Sequence, residues 1–411
     1  MTTSTDEIGL ILDHEGISPQ FQPIVDLFTG AVVAFEGLCR GPEGSPLHMP
    51  DDLFDAARAA DRLEDLDWHC RTTVLRAALD VGLRPPLTVF LNVEPRVLSA
   101  APIDAMPVLA RAIGGLRVII ELTERALLER PATLLRFVEK VRQAGWGIAL
   151  DDVGAHPHSL AMLSVIEPDV VKLDLQLLLG MPGTSATSLL SGVQTYCRRS
   201  GARLVAEGVE TEDDVGVARS IGAHYGQGWT FGGPTSLAAA PTANSHPVPM
   251  INPRPHRPTR RLINLLSRAD TPVPANRTRI DRASRYMLEH AAEMGPSTLV
   301  LACVQGTGFV STSIRDALEK LAQRVAYVAV LGTGLSSSPL PGVHGVEINA
   351  IDPLVSEWVI ATIGLHESMG LVASDLGDDY DDGSARRYEY AVTYDPQMVT
   401  DVARALMTRI V

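Results

Sequence analysis

The chain has 411 residues, with 49 Asp and Glu against 35 Lys and Arg, a formal net charge of −14, and 45% hydrophobic and 20% charged residues. That length implies two or three domains of ordinary size, and the apolar fraction is that of a folded protein, which argues against wholesale disorder. The excess of acid repels nucleic-acid backbones and argues against non-specific DNA or RNA binding.

The acid is unevenly placed: residues 1–235 hold 31 acids and 19 bases, net −12, and residues 236–411 hold 18 and 16, net −2. The N-terminal stretch MTTSTDEIGLILDHEG lacks a basic start and a sustained apolar core, and no apolar run approaches the roughly 20 residues of a membrane span. A cytoplasmic protein is therefore expected. The four cysteines, Cys39, Cys70, Cys197 and Cys303, show no CxxC spacing, so they read as reduced thiols rather than as a zinc knuckle or a disulfide framework.

From Phe21 to Phe231, short apolar runs alternate with helical periodicity. The runs are AVVAFEGL (31–38), LTVFLNVE (87–94), LRVIIELTE (116–124), WGIALDD (146–152), DVVKLD (169–174) and RLVAEGVE (203–210), separated by stretches such as PATLLRFVEKVRQAG (131–145). Strand-then-helix repetition predicts parallel strands joined by crossover helices, and six or more such units in about 210 residues predict a closed barrel. Six prolines between Pro241 and Pro258 then read as a semi-rigid linker. Beyond it, a helix near 279–294, a strand at STLVLACV, a helix near 313–324, strands at AYVAVLG, EWVIATI, MGLVASDLG and YEYAVTY, and a closing helix at 396–410 predict a smaller α/β domain.

Nearly every apolar run of the first half ends in a carboxylate or an amide: Glu36, Asn92, Glu121, Asp151 with Asp152, Asp174 and Glu207. In a barrel of parallel strands those ends converge on one rim, where this architecture places its catalytic loops. Carboxylates gathered there repel one another unless a cation sits among them, and Asp, Glu and Asn oxygens suit Mg²⁺, Mn²⁺ or Ca²⁺. Lys172 adds to the pattern: the chain has 32 Arg but only three Lys, and this one lies inside an apolar strand. An ion pair with Asp174 accounts for it in isolation; beside a metal, a compact ammonium can orient a water or neutralise a phosphate.

The stretch FQPIVDLFTGAVVAFEGLCR resembles the opening of EAL-domain cyclic di-GMP phosphodiesterases, with Gly37 in place of the Ala of Glu-Ala-Leu. LNVEPRVL, IIELTERALL, GIALDDVG, PDVVKLD, VAEGVET and GQGWTFGGP continue the resemblance in family order over roughly residues 10–235. The resemblance implies a modified TIM (β/α) barrel over residues 1–235. It implies that Glu36, Asn92, Glu121, Asp151, Asp152 and Glu207 hold two ions, Mg²⁺ or Mn²⁺, and that Lys172 contacts the attacking water while Gln227 supports the site. Arg40, with Glu36 and Leu38, falls where the family binds substrate. Glu124 steadies the loop after the Asp pair, and Asp174 and Glu210 stand behind the ligands. The implied activity is hydrolysis of cyclic di-GMP to linear pGpG, in a homodimer. The alternative is a catalytically silent cyclic di-GMP receptor, suggested by Gly37 and by the loop Val153–Leu160, which lacks the family's Phe, Thr and Tyr and carries His156 and His158 instead. A third reading is a metal-dependent barrel enzyme acting on another substrate. After a linker over 236–275, residues 276–411 are similar to the DICT sensory domain, through AYVAVLGTGLSSSPLPGVHGVEI, DPLVSEWVI, SDLGDD and RRYEYAVTYDPQMV. The similarity implies a small-molecule or protein signal that the sequence does not identify.

Overall fold

A computed structural model of the chain describes residues 4–14, 16–94, 96–98, 105–123, 127–155, 157–239, 246–251, 261–265, 270–306, 310–377 and 386–411, without the side chains of 4–6 and 157–159. It divides into two compact units. The first comprises Met1–Ala126, Arg136–Ala155 and Pro168–Ile251; the second comprises Leu127–Leu135, His156–Glu167 and Asn252–Val411.

The first unit holds a closed eight-stranded barrel: β1 (Ser18–Asp26), β2 (Val32–Arg40), β3 (Thr88–Val93), β4 (Arg117–Thr123), β5 (Gly147–Asp151), β6 (Val170–Asp174), β7 (Arg203–Glu207) and β8 (Tyr225–Gln227). Successive strands from β2 to β8 are parallel, as the alternation predicts, whereas β1 runs antiparallel to both β2 and β8, so the barrel is the modified TIM barrel that the resemblance implies. The antiparallel start follows from the connection. Asp26 Oδ1 accepts from the N–H groups of Phe28 and Thr29, closing a tight hairpin that leaves no room for a crossover helix.

The helices are α1 (Ser4–Asp13), α2 (Pro50–Ala59), α3 (Leu63–Asp80), α4 (Met106–Gly115), α5 (Pro131–Gln143), α6 (Pro157–Ile166), α7 (Leu175–Gly180), α8 (Gly183–Ser200) and α9 (Glu212–Ser220). Helix α9 starts on a full capping box between Thr211 and Asp214. Inside the barrel lies an apolar layer of Ile24, Ala34, Phe90, Ile119, Ala149, Val170, Val205 and Tyr225, joined by Val248. Val248 comes from the proline-rich stretch and is fully buried, its carbonyl accepting from Arg117 at 2.6 Å.

The second unit is built on a seven-stranded sheet. In chain order its strands are β9 (Val273–Asn276), β10 (Leu299–Gly306), β11 (Tyr327–Thr333), β12 (His344–Glu347), β13 (Glu357–Ile363), β14 (Ser368–Asp375) and β15 (Arg387–Thr393), in spatial order β12-β11-β10-β13-β14-β15-β9. Strands β12, β11 and β10 are parallel and the rest antiparallel. Every residue of β10, β13 and β14 is buried, so both faces of the sheet are covered. One face packs on α10 (Arg277–Ala291) and α11 (Thr312–Ala322), where Trp358 donates to Ser284 at 2.9 Å. The unit also includes α12 (Pro396–Met407), whose Arg404 donates to the Val165 carbonyl at 2.6 Å and pairs with Glu167 at 2.8 Å.

Candidate functional site

Side chains two apart on a strand share a face, so the residue two beyond each member of the apolar layer on β2 to β8 also points into the barrel. Two beyond Ala34 is Glu36; beyond Phe90, Asn92; beyond Ile119, Glu121; beyond Ala149, Asp151; beyond Val170, Lys172; beyond Val205, Glu207; and beyond Tyr225, Gln227. The strands thus stack a polar layer on the apolar one at their carboxyl ends, as β-barrels of this type do. Strand register reinforces the gathering: Asn92 is paired with Glu121 and Asp174 with Glu207.

At the centre stands the buried ammonium of Lys172. It lies 2.5 Å from Glu121, 2.8 Å from Glu207, and 3.4 Å from both Glu36 and Asp151. Asn92 donates to Glu36 Oε1 at 2.7 Å, and Gln227 donates to Glu36 Oε2. Gln227 also donates to Gln22 at 3.2 Å, a contact from β1 that the strand-end pattern missed, since Gln22 sits in mid-strand. The hairpin brings it there, its register pairing Gln22 with Glu36.

The electrostatics divide the carboxylates. Burial favours the neutral form of Glu36, but the Lys172 charge and the hydrogen bonds from Gln227 and Asn92 outweigh it, and its carboxyl lies below the ordinary value. Burial, then the neighbouring Glu36, pushes Glu121 well above it; burial, then Asp151, does the same to Glu207. For Lys172 burial alone would lower the value, but the surrounding carboxylates, Asp151 foremost, hold it well above. One ammonium therefore does not balance the acids around it.

Asp151, Asp152 and Glu207 each present an oxygen, and the three lie within 4.8 Å of one another. Asp152 adopts a left-handed φ of 55°, which Asp tolerates better than most residues, and so turns the chain sharply between the two carboxylates. Glu121 Oε2 is buried without a hydrogen-bond partner, and buried Asp151 Oδ1 faces the Lys172 ammonium at 3.4 Å without a hydrogen bond. Buried carboxylate oxygens that make no hydrogen bond, in a set of hard oxygen ligands, fit divalent cations such as Mg²⁺ or Mn²⁺.

The remaining expected residues lie as follows. Leu38 and Arg40 are further along β2 and half-buried, with Arg40 donating to the Cys39 carbonyl at 2.9 Å. Asp174 caps α7, accepting from Leu177 N at 2.8 Å. Glu210 is exposed, and its N–H donates to Asp214. Glu124, His156 and the side chain of His158 lie outside the described residues. A Cβ at Gly37 would stand 2.2 Å from Val74 Cγ1, so α3 occupies the space that the family's Ala would take. In the altered loop, Val153 is fully buried and its N–H donates to the Lys172 carbonyl at 3.2 Å.

A family model described as "EAL domain" matches residues 7–234. The chain is 29% identical over 229 residues to the "Probable cyclic di-GMP phosphodiesterase PdeB" of Escherichia coli (strain K12), covering 54% of this chain and 43% of that protein. It is 28% identical over 237 residues to the "Cyclic di-GMP phosphodiesterase RocR" of Pseudomonas aeruginosa, covering 54% and 58%. The chain therefore spans less than two thirds of either relative. A solved structure described as "PaMucR Phosphodiesterase, c-di-GMP complex" superposes with a TM-score of 0.50 at 23% identity, covering 56% of this chain and 97% of that one, a likeness of fold.

Proposed function

The chain belongs to the EAL-domain family, and from that premise we propose that its first unit hydrolyses cyclic di-GMP to linear pGpG with two divalent ions. The observation that carries this reading is the ring of Glu36, Glu121, Asp151 and Glu207 around Lys172, more carboxylates than one ammonium balances, with Glu121 Oε2 buried and without a hydrogen bond. Glu36, Asn92, Glu121, Asp151, Asp152 and Glu207 would hold the ions, Mg²⁺ or Mn²⁺. Bound there, divalent ions supply Lewis acidity toward a non-bridging phosphate oxygen and lower the pKa of a water.

The chain's own residues do the rest. Lys172 keeps the acids from mutual repulsion and presents N–H groups to a water beside the phosphate. Gln227 and Asn92 fix Glu36 by donating to its two oxygens. Arg40, near Leu38 at the end of β2, offers a planar guanidinium to a second phosphate oxygen. Water adds to phosphorus, the bond to the 3′ oxygen breaks, and the 3′ oxygen takes up a proton. The second unit, with its own sheet and core, is proposed as a DICT-like sensory domain that regulates the first, within a homodimer.

The altered loop supports a second reading, a receptor that binds cyclic di-GMP without turning it over. Parallel measurements of affinity and turnover with Mn²⁺, on wild type and Glu36→Ala, separate the two. The enzyme reading expects turnover that the variant loses; tight binding without turnover contradicts it.

A further inference from the structure

Cys39 and Cys70 are 31 residues apart in the chain, yet they meet. Cys39 is the penultimate residue of β2, between Leu38 and Arg40, and Cys70 lies in the middle of α3 on the side that packs against the barrel. Cys39 Sγ donates to the Cys70 carbonyl at 3.6 Å, which places the two residues side by side across the contact of β2 with α3. Of the four cysteines only Cys39 is partly exposed; Cys70, Cys197 and Cys303 are buried. An oxidant in solution therefore meets Cys39 first, with Cys70 as its neighbour on the helix. The close seating of Val74 over Gly37, one helical turn beyond Cys70, holds strand and helix at this separation.

We propose that Cys39 and Cys70 are a peroxide-responsive dithiol whose disulfide ties β2 to α3 and shifts Arg40, changing affinity for the anionic substrate. The chemistry balances with hydrogen peroxide as oxidant. The Cys39 sulfur attacks a peroxide oxygen, an S–O bond forms as the O–O bond breaks, and one water leaves, giving a sulfenic acid. The Cys70 sulfur then attacks the Cys39 sulfur; the S–S bond forms, the S–O bond breaks, and the departing hydroxide leaves as a second water with the Cys70 proton. Two thiols lose two electrons and the peroxide gains them, and a dithiol reductant reverses the change by exchange. The contact with Cys39, then burial, pushes the Cys70 thiol well above its ordinary value, so Cys70 is slow toward peroxide and must give up its proton as it attacks the sulfenic sulfur. Closing the bond draws the sulfurs to about 2.05 Å, and Arg40 is the next residue along the strand.

The effect on substrate rests on the proposed cyclic di-GMP reading; the disulfide does not. The test treats the full chain with hydrogen peroxide and maps peptides by mass spectrometry without reduction. The expected results are a Cys39–Cys70 cross-link reversed by dithiothreitol, absent from Cys39→Ser and Cys70→Ser and retained in Cys197→Ser. The affinity for cyclic di-GMP should change by about fivefold or more on oxidation and return on reduction. Sulfinic acid at Cys39 with Cys70 still a thiol, or no loss of thiols, overturns the proposal. A cross-link that leaves the affinity of a binding-competent protein unchanged overturns its second half. A protein that forms the cross-link but never binds cyclic di-GMP contradicts the functional reading and leaves the dithiol standing. Because the map on wild type decides the first half, a misfolded Cys70→Ser leaves the test intact.

Discussion

The buried ammonium of Lys172 is the residue on which the site's charge turns. Lys172→Met leaves four acids with no counter-ion, so the metal-free protein should lose about 3–5 kcal/mol in urea unfolding, and saturating Mn²⁺ should recover part of it. No loss would mean that the acids do not face one another. Glu121 and Glu207 set the pH dependence. A raised carboxyl value means that the folded state holds its proton longer than the unfolded state, so their contribution to stability is present below the ordinary carboxylate value and is lost as pH rises through the raised one. A cation must displace those protons. Metal affinity should therefore rise with pH, and calorimetry in buffers of differing ionisation enthalpy should show protons released on Mn²⁺ binding; binding without release contradicts the assignment. The acids were legible in the sequence because each ends an apolar run. That Lys172 would touch four of them was not, since its nearest carboxylate in the chain, Asp174, instead caps α7.

At the level of elements, the barrel was readable because buried parallel strands are continuous apolar runs and their connections are amphipathic. The reversed β1 and the three-residue β8 were not, because one follows from a hairpin and the other is too short for any period to register. Val248 was hidden too: proline density marks an irregular backbone but not whether that backbone is solvated or buried. The contact of β2 with α3 gives a sharper case. Gly37→Ala, which restores the family's Glu-Ala-Leu, should destabilise by about 1–3 kcal/mol by overpacking, and Val74→Ala added to it should recover stability, read as a coupling in a double-mutant cycle. Additive losses would show that Val74 does not fill that space. Asp174→Ala should cost about 1 kcal/mol through loss of the α7 cap, with Asp174→Asn close to wild type. A larger loss of stability in the Asn variant would mean that the charge, not the cap, matters there.

For the whole molecule, the net charge of −14 acquires a place: the first 235 residues carry nearly all of it, and several of those acids line one barrel mouth. The second unit is discontinuous, gathering Leu127–Leu135 and His156–Glu167 with Asn252–Val411, which no linker composition could reveal. Leu160, Ala161, Met162, Leu163, Val165 and Ile166 of that unit's α6 are apolar around the helix, and all are buried. On the proposed reading this barrel is a metal-dependent phosphodiesterase. Its most direct test is chromatography of cyclic di-GMP incubated with the purified chain and Mg²⁺ or Mn²⁺. The account predicts linear pGpG, stopped by a chelator and reduced more than about 100-fold by Glu36→Ala, beyond the usual effect of residues that only support metal ligands. Undiminished cyclic di-GMP in the presence of either metal would contradict it.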